Sequence, residues 1–519
     1  MVLASAVASA VPHFLAKKME LASAVPHFLK EKTILITGAS GFIAKVFVEK
    51  VLRVEPNVKK LYLLIRAPNN DSATQRLHNE VIGKDLFRVL RDKWGANFGS
   101  FISKKVIAIA GDISCENLGL RDDHLRREMM EEIDYIINTA ATTTFDERYD
   151  IAMAINSMGA IHVSNFAKKC CKIKLLVHVS TAYVCGEIEK EEQVVLEKPF
   201  EMGETLKGIT SKLDIEVENK LLKEKIDQLQ SHNADEEAIK NAMKDFGTER
   251  AKLHGWPNTY VFTKAMGEML FVQELKNNVP LIVIRPTMVT STFKQPFPGW
   301  IEGLRTLDTL IAAYAKGRLN CFLGHPSTIL DVIPVDIVVN CMIVAMVAHS
   351  NQFSTNFIYN VATSSRNPFR ASDLQYFCYN YFTKKPWINE FGKPVIVIKK
   401  VTTLTSMAKF RRYMMIRYVL PLKVLNLASR ILGKHYKDVY KDNKRKLKTV
   451  FRVVELYRPY ALFKGIFNDS NTKNLEKNYS KLGMDDDDEF NFDPKSIDWK
   501  DYMMNAHVSG LMKYVIKVS

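Results

Sequence analysis

Tyr260 and Lys264 stand four residues apart in the segment YVFTK. On a helix that spacing puts both side chains on one face. A free phenol has a pKa near 10 and is a poor proton donor or acceptor at neutral pH. An ammonium about 5 Å away, at an effective dielectric of about 20, favours the phenolate by roughly 3 kcal/mol, or about two pKa units. The pair therefore reads as an acid–base device for a reacting carbonyl oxygen. Upstream, a strand end in HVSTAYVCG offers two hydroxyls that can hydrogen-bond that oxygen as charge develops on it, Thr181 and Ser180. Counting back from Gly186 favours Thr181 over Ser180.

Such chemistry needs a hydride carrier, and the chain has a place for one. TGASGFIA spans Thr37–Ala44, between a β-branched run and a helical stretch. Gly38 and Gly41 let the backbone turn tightly and approach a pyrophosphate, which then rests on the helix N-terminus. Thr37, Ser40, Phe42 and Ile43 belong to the same expected contact, and Ala44 stands where a third glycine is usual. Arg66, in LYLLIRAP, occupies the place where NAD-binding folds often carry an acid for the ribose 2′-OH. A guanidinium suits a 2′-phosphate, so the expected cofactor is NADPH. Arg76, further along, reads as part of a solvated helix face. Asp112 and Ile113 follow a third strand and are placed to meet the adenine; Asn138–Ala141, with Ala140, lines the nicotinamide side.

These side chains need a frame that brings strand ends together. Short apolar runs occur at Thr33–Ile36, Leu61–Ile65, Val106–Ala110, Ile133–Asn138, Leu175–Val179 and Leu281–Ile284, with helical patterns between them. Alternating helices and uniformly apolar strands predict an α/β fold, a Rossmann-type doubly wound parallel sheet. A charge-rich, mostly helical insertion covers about 187–249, with Leu221, Leu222, Ile226 and Leu229 at helical spacing. It reads as a surface helical subdomain in preference to a lid. The α/β rhythm is lost around 355–400, and a Met-, Tyr- and Lys-rich, mostly helical region follows from about Ser406. The expected division is an unfolded segment 1–30, a dinucleotide-binding domain 31–355 and a helical C-terminal domain 356–519.

With 519 residues, 47% hydrophobic and 25% charged, the chain is long enough for these two domains and too apolar for a disordered protein. Its seven cysteines include no C-x-x-C, so neither a disulfide framework nor a zinc site is expected. His162, His178 and His254 lack spaced partners and read as structural, and Cys185 as a packing residue. The net charge of +16 is concentrated: residues 401–450 hold thirteen Lys and Arg against two acids. No recognition motif or aromatic platform accompanies them, which argues against nucleic acid. KFRRYMMIRYVLPLKVL mixes cations with apolar side chains, as a segment at an anionic membrane surface does. The longest apolar stretch, Ile337–Ala348, is twelve residues with Asn340 inside it, and a span needs roughly 20. ASAVPHFL occurs at Ala8–Leu15 and again at Ala22–Leu29; lacking a basic flank, it reads as a local duplication without a targeting role. The acidic run Asp485–Glu489 reads as a solvated loop.

TGxxGxxA, Asp112, NTAA, Asn156-x-x-Gly159, STAYV, Tyr260-x-x-x-Lys264 and IRPTMV together resemble the extended short-chain dehydrogenase/reductases. More narrowly, KTILITGASGFIAKVFVEKVLR, AATTTFDERYD, AKLHGWPNTYVFTKAMGE, RPTMVTSTFKQPFPGWIEG, VELYRPYALFKGIF and FDPKSIDWKDY are similar to plant-type alcohol-forming fatty acyl-CoA reductases. The likeness runs from about residue 31 to 519. It implies a two-step, NADPH-dependent reduction of a long-chain acyl-CoA to a primary alcohol, by way of a hemithioacetal and an aldehyde. It also implies that Tyr260 is the acid/base, that Lys264 acidifies it and holds the nicotinamide ribose, and that Pro286 in IRPTMV joins the cofactor site. A C-terminal domain for substrate handling is implied too, as are a place on the cytosolic face of the endoplasmic reticulum or in the cytoplasm in preference to a plastid, and products of the wax and suberin type. Two other readings stay open at this point. One is an extended reductase for another carbonyl, such as a sterol or nucleotide sugar; the long insertion and second domain speak against it. The other is a non-catalytic NADP(H)-binding scaffold; the Thr181, Tyr260 and Lys264 set speaks against it.

Overall fold

A computed structural model describes residues 27–350, 356–432, 434–480 and 488–516. Seven parallel strands form the central sheet: β1 (Thr33–Thr37), β2 (Lys60–Ile65), β3 (Val106–Ala110), β4 (Tyr135–Asn138), β5 (Leu175–Val179), β6 (Leu281–Pro286) and β7 (Asn356–Val361). Their spatial order is β7-β6-β5-β4-β1-β2-β3. Helices cover both faces, which is why β1, β4, β5 and β6 are buried along their whole length and read as unbroken apolar runs. The order reverses between β1 and β4, and the crevice at their carboxyl ends is where such sheets bind ligands.

Six of these strands are legible as apolar runs, and the seventh is not. β7 is NFIYNV, and it pairs along β6 from Asn356↔Leu281 to Val361↔Pro286. Asn360, its inner asparagine, is bonded from outside the sheet: its backbone amide donates to Glu197 at 2.9 Å and its side-chain amide to the Asn468 carbonyl at 2.7 Å. Polar residues are tolerated there because an edge strand meets other segments. A boundary at 355 therefore cuts in front of a strand of the first sheet.

The helices that matter for the site are α1 (Phe42–Val54), α2 (Ile215–Ser231), α3 (Glu236–Leu253), α4 (Thr259–Leu275), α5 (Val335–His349) and, near the C-terminus, α6 (Leu420–Leu432) and α7 (Lys434–Ala461). The apolar stretch Ile337–Ala348 lies within α5 and packs in the core; Asn340 donates to the Asn491 carbonyl at 2.8 Å. Among the described residues no helix is long and apolar enough to cross a membrane. The insertion is helical only from Ile215 onward. Its first part runs as irregular chain in which Val194–Val195 pairs with Ile466–Phe467. Glu218 of α2 anchors it: the buried carboxylate accepts from Tyr149 at 2.8 Å, from His254 at 2.9 Å and from Arg250. Burial alone would raise this carboxyl; the hydrogen bonds from His254, Arg250 and Tyr149 outweigh it and hold Glu218 at about 2.

The C-terminal region is helical as expected, but part of it shares the first core. Tyr502, Met503, Val508 and Leu511 are buried in the same cluster as α1 and α5. Glu489, at the end of the acidic run, is no free loop residue: it pairs with Lys50 at 2.9 Å and Arg53 at 2.6 Å on α1. The rest of that run, 485–487, lies outside the described residues. So does most of the N-terminal duplication; its last residues, read as unfolded, in fact dock, with Leu29 buried and Phe28 packed 5.3 Å from the Tyr135 ring.

Candidate active site

The glycine turn is built as the sequence requires. Gly38 has φ +65°, and a Cβ there would lie 2.6 Å from both Cα and N of Ala140. Thr37 is tied to the same loop: its hydroxyl donates to Asn138 Oδ1 at 2.6 Å and accepts from the Ala140 amide at 3.3 Å. Gly41 is the N-cap of α1, and no side chain caps that end. The first amides of α1, from Phe42 and Ile43 onward, thus offer the donor set and the positive helix end that a phosphate needs. Ala44 is fully buried, so its methyl packs inward where dinucleotide turns usually carry a third glycine. These observations fit a dinucleotide. Ser40 and Ile43 are half-buried beside the turn, and Phe42 is buried, stacked on Trp300 at 5.3 Å.

Arg66 is exposed at the end of β2 and lines one cleft with Asp112, Asn69, Gly111 and Arg121. Arg76 is engaged elsewhere: it pairs with Glu80 at 2.7 Å and donates to the Arg66 carbonyl. Arg121 is a second cation on this cleft that the motifs did not reveal. Asp112 Oδ1 accepts from the Ser114 amide at 2.9 Å and hydroxyl at 2.8 Å, so part of that carboxylate holds its own turn. Ile113 is buried beneath Gly159.

Asn258 caps α4 by accepting from the Val261 amide at 3.1 Å. The helix so started carries Tyr260 and Lys264 toward the ends of β4 and β5. The Thr181 hydroxyl stands near the Tyr260 hydroxyl and favours its ionised form. Thr181 also accepts from the Tyr183 amide at 3.3 Å and contacts the Pro286 carbonyl at 3.5 Å. The Ser180 hydroxyl is buried with no hydrogen-bond partner among the described residues. Thr181, Tyr260, Lys264 and Pro286 are thus brought together. Cys185 is half-buried against the core, and desolvation pushes its thiol up to about 12, which suits a packing residue.

The electrostatics differ from the expectation. Lys264 donates to the Val179 carbonyl at 2.9 Å and lies 3.2 Å from His178 Nε2. Burial lowers its pKa to about 8. The Tyr260 phenol is not acidified: burial pushes it up to about 12, against opposing pulls from the Thr181 hydroxyl and the Arg305 guanidinium. The cation acting on Tyr260 is therefore Arg305, which lies 4.2 Å over the Phe42 ring, and not Lys264. The reason is positional: the ammonium is spent on the sheet beneath the helix.

Sequence reasoning also missed one wall of the site. Phe145 stacks 6.0 Å from Tyr260, and it is flanked by Tyr460 at 4.8 Å and Tyr457 at 5.2 Å from α7. Tyr460 accepts from Asn258 at 3.0 Å, the residue that caps α4. The segment VELYRPYALF carried that signal only as a family likeness. Its aromatic side chains reach the site through tertiary packing.

This parallel sheet with its glycine turn defines a Rossmann-type α/β protein with a place for a dinucleotide. The profile of a dinucleotide-binding family described as male sterility protein matches residues 36–342, and a second profile of the same description matches 417–518. Fatty acyl-CoA reductase 1 of Arabidopsis thaliana is 53% identical over 93% of this chain and 97% of its own length. The alcohol-forming fatty acyl-CoA reductase of Simmondsia chinensis is 51% identical with the same coverage. Among solved structures, the terminal reductase domain of the myxalamid biosynthetic pathway shares the fold, with a TM-score of 0.50 and 16% identity over 86% of this chain and 85% of that one. The chain belongs to the fatty acyl-CoA reductase family.

Proposed function

We propose that this protein reduces long-chain fatty acyl-CoA to the primary alcohol with NADPH, releasing free CoA. The observation that carries the reading is the approach of Tyr260 to Thr181 just past the end of β5, in the sheet whose β1 leads into the glycine turn, in a chain half identical to reductases of that name. The Gly38–Ile43 turn would hold NADPH, with Arg66 at its 2′-phosphate, and the carrier so bound would supply hydride to the carbonyl carbon in each of two rounds. Thr181 hydrogen-bonds the substrate oxygen as it gains charge, and Tyr260 delivers a proton to it. In the first round the resulting hemithioacetal breaks its C–S bond to give aldehyde and thiol; in the second the aldehyde oxygen is protonated to the alcohol. Lys264 holds the nicotinamide ribose.

Purified protein with stearoyl-CoA is expected to yield octadecanol by gas chromatography with NADPH and far less with NADH. Arg66→Ala is expected to weaken the use of NADPH about tenfold while leaving NADH nearly unchanged, the scale of one charge-assisted phosphate contact. No alcohol or aldehyde with either carrier would overturn the proposed activity. An unchanged cofactor preference in Arg66→Ala would remove Arg66 from the assignment.

A second part of the proposal concerns place. Ile416, Leu420, Val424 and Leu427 follow each other at helical spacing along α6 and the turn before it, and they are 63%, 47%, 68% and 63% exposed. Arg412, Arg417 and Lys423, also exposed, flank them. A stripe of exposed aliphatic side chains bordered by cations suits an anionic bilayer, where long acyl substrates and alcohols also partition. The cytosolic face of the endoplasmic reticulum is the expected membrane. The protein should co-sediment with vesicles containing phosphatidylserine at low salt, and Ile416→Asp/Val424→Asp should abolish this at unchanged melting temperature. Sedimentation equal in the variant and the wild type would refute the stripe.

A further inference from the structure

Lys264 is the first member of a buried row. His178 Nε2 lies 3.2 Å from its Nζ, and His178 Nδ1 lies 3.0 Å from Asn138 Nδ2. Asn138 Oδ1 accepts from the Thr37 hydroxyl at 2.6 Å. Lys264, His178, Asn138 and Thr37 are each no more than 2% exposed. Strand register makes the row: Thr37 is opposite Asn138, and Asn138 is opposite His178, across β1, β4 and β5. It ends on the residue immediately before Gly38.

We infer that His178 is a positioning residue that couples the charge of Lys264 to the turn that receives the dinucleotide. This rests on the role given to Lys264 above. The argument is a count of hydrogens. An ammonium only donates, so His178 Nε2 must accept from it, and Nδ1 must then carry the proton. Asn138 must in turn present its carbonyl to Nδ1 and its amide to Thr37, which frees the Thr37 hydroxyl proton for an acceptor at the turn. With Lys264 as the amine, every bond reverses: Nε2–H donates to it, Nδ1 accepts from the Asn138 amide, and Thr37 donates to the Asn138 carbonyl. The structure turns the Asn138 amide as the second arrangement requires. Each arrangement is complete, and a mixture leaves buried donors facing donors. The two differ by one proton at Lys264 and a half-turn of one amide.

A neutral imidazole is required, and its surroundings keep it so: burial first, then the charges of Lys264 and Arg285, hold His178 well below the usual histidine range. Arg285 reaches it from β6 already paired with Glu268 at 2.5 Å, and Glu268 also raises the Lys264 pKa against burial. The Phe271 ring, 4.5 Å away, closes the remaining side. Because coupling is reciprocal, NADPH binding must depend on the protonation of Lys264, and the share of that dependence that reaches the glycine turn must pass through His178.

Two variants separate the links. His178→Asn keeps a polar group where Nδ1 stands, in reach of Asn138, and loses the one facing Lys264. His178→Gln keeps a group where Nε2 stands, in reach of Lys264, and loses the one facing Asn138. The dissociation constant of NADPH, followed by nicotinamide fluorescence from pH 6 to 9.5, is expected to rise with pH by about tenfold in the wild type and by no more than about threefold in both variants, where only the direct contact of Lys264 with the ribose remains. The alkaline limb of kcat/KM should shift in both as well. Thr37→Val, nearly isosteric at the far end of the row, should flatten the binding curve too and serves where a His178 variant fails to fold. Wild-type curves in all three variants, or full rescue by Gln alone, would overturn the coupling. Lys264→Met reports separately on the underlying role: loss of alcohol formation there with wild-type curves for the His178 variants sinks only this inference, whereas retained turnover in Lys264→Met sinks the role of the lysine itself.

Discussion

Tyr260→Phe is expected to lower alcohol formation by about a thousandfold while leaving the dissociation constant of NADPH within about twofold, the loss characteristic of a removed general acid. The substitution deletes one oxygen. Thr181 keeps its contacts with Tyr183 and Pro286, so the fold should lose no more than about 1 kcal/mol. The raised phenol supports this expectation. Burial pushes Tyr260 up to about 12, so at neutral pH the hydroxyl carries its proton. Reduction consumes a proton at the substrate oxygen, and an alkoxide is a far stronger base than a phenolate. The transfer therefore runs downhill even from a weak acid, and the group is already in the form the reaction needs. The sign is opposite for oxidation of an alcohol, which needs the phenolate; below pH 12 its fraction rises tenfold per pH unit. The reverse reaction should thus climb with pH where the forward reaction shows no limb from Tyr260. Gas chromatography of product, with cofactor binding read by fluorescence and melting temperature recorded, checks the substitution. A phenylalanine variant keeping a tenth of the turnover would remove Tyr260 from the proton transfer.

What the sequence revealed, and what it hid, follows from the range of the interactions involved. The turn at Gly38 and Gly41 and the i, i+4 pair Tyr260 and Lys264 are local: a few consecutive residues fix the backbone that presents them. Six strands were visible because burial on both faces demands unbroken apolar runs, and β7 was hidden because Asn360 is bonded to Glu197 and Asn468 from far along the chain. The partner of Lys264 was equally hidden. A lysine four residues from a tyrosine suggests that the two charges interact. Only the register of β5 against α4 shows the ammonium turned to His178 and Val179. His178 was read as structural for lack of spaced partners, and its partners come from β4 and α4. Arg305 acts on the phenol from a loop with no motif of its own, and Tyr457 and Tyr460 pack on the Phe145 ring beside it from a helix about 200 residues further along the chain. Residues whose role depends on a neighbour distant in sequence carry no periodic or spaced signature.

Gly38→Ala is expected to weaken NADPH binding at least a hundredfold and to destabilise the fold by about 2–4 kcal/mol. Two costs combine. The residue sits at φ +65°, where an L side chain costs roughly 1–2 kcal/mol. The added methyl would also lie 2.6 Å from Cα and N of Ala140 and 2.9 Å from C of Thr139, against an ordinary carbon–carbon contact of about 3.5–4.0 Å. These are backbone atoms, and they cannot yield singly: the Thr139 hydroxyl is bonded to the Thr37 carbonyl at 2.7 Å and the Ala140 amide to the Thr37 hydroxyl. The turn must therefore open by about 1 Å, a displacement that can cost a hundredfold in a positioned site. Two substitutions calibrate the result. Gly41→Ala meets only the Gly38 carbonyl, at 2.9 Å and without a positive φ, and should cost less stability. Gly99→Ala, in the helix Phe98–Lys105 with nothing within 4 Å of the new methyl, should leave binding unchanged and stabilise by about 0.5–1 kcal/mol. Fluorescence titration with NADPH and thermal melting order the three. If Gly38→Ala binds NADPH within threefold of the wild type, the dinucleotide does not lie across this turn, and the hydride must reach Tyr260 and Thr181 from another side of the cleft.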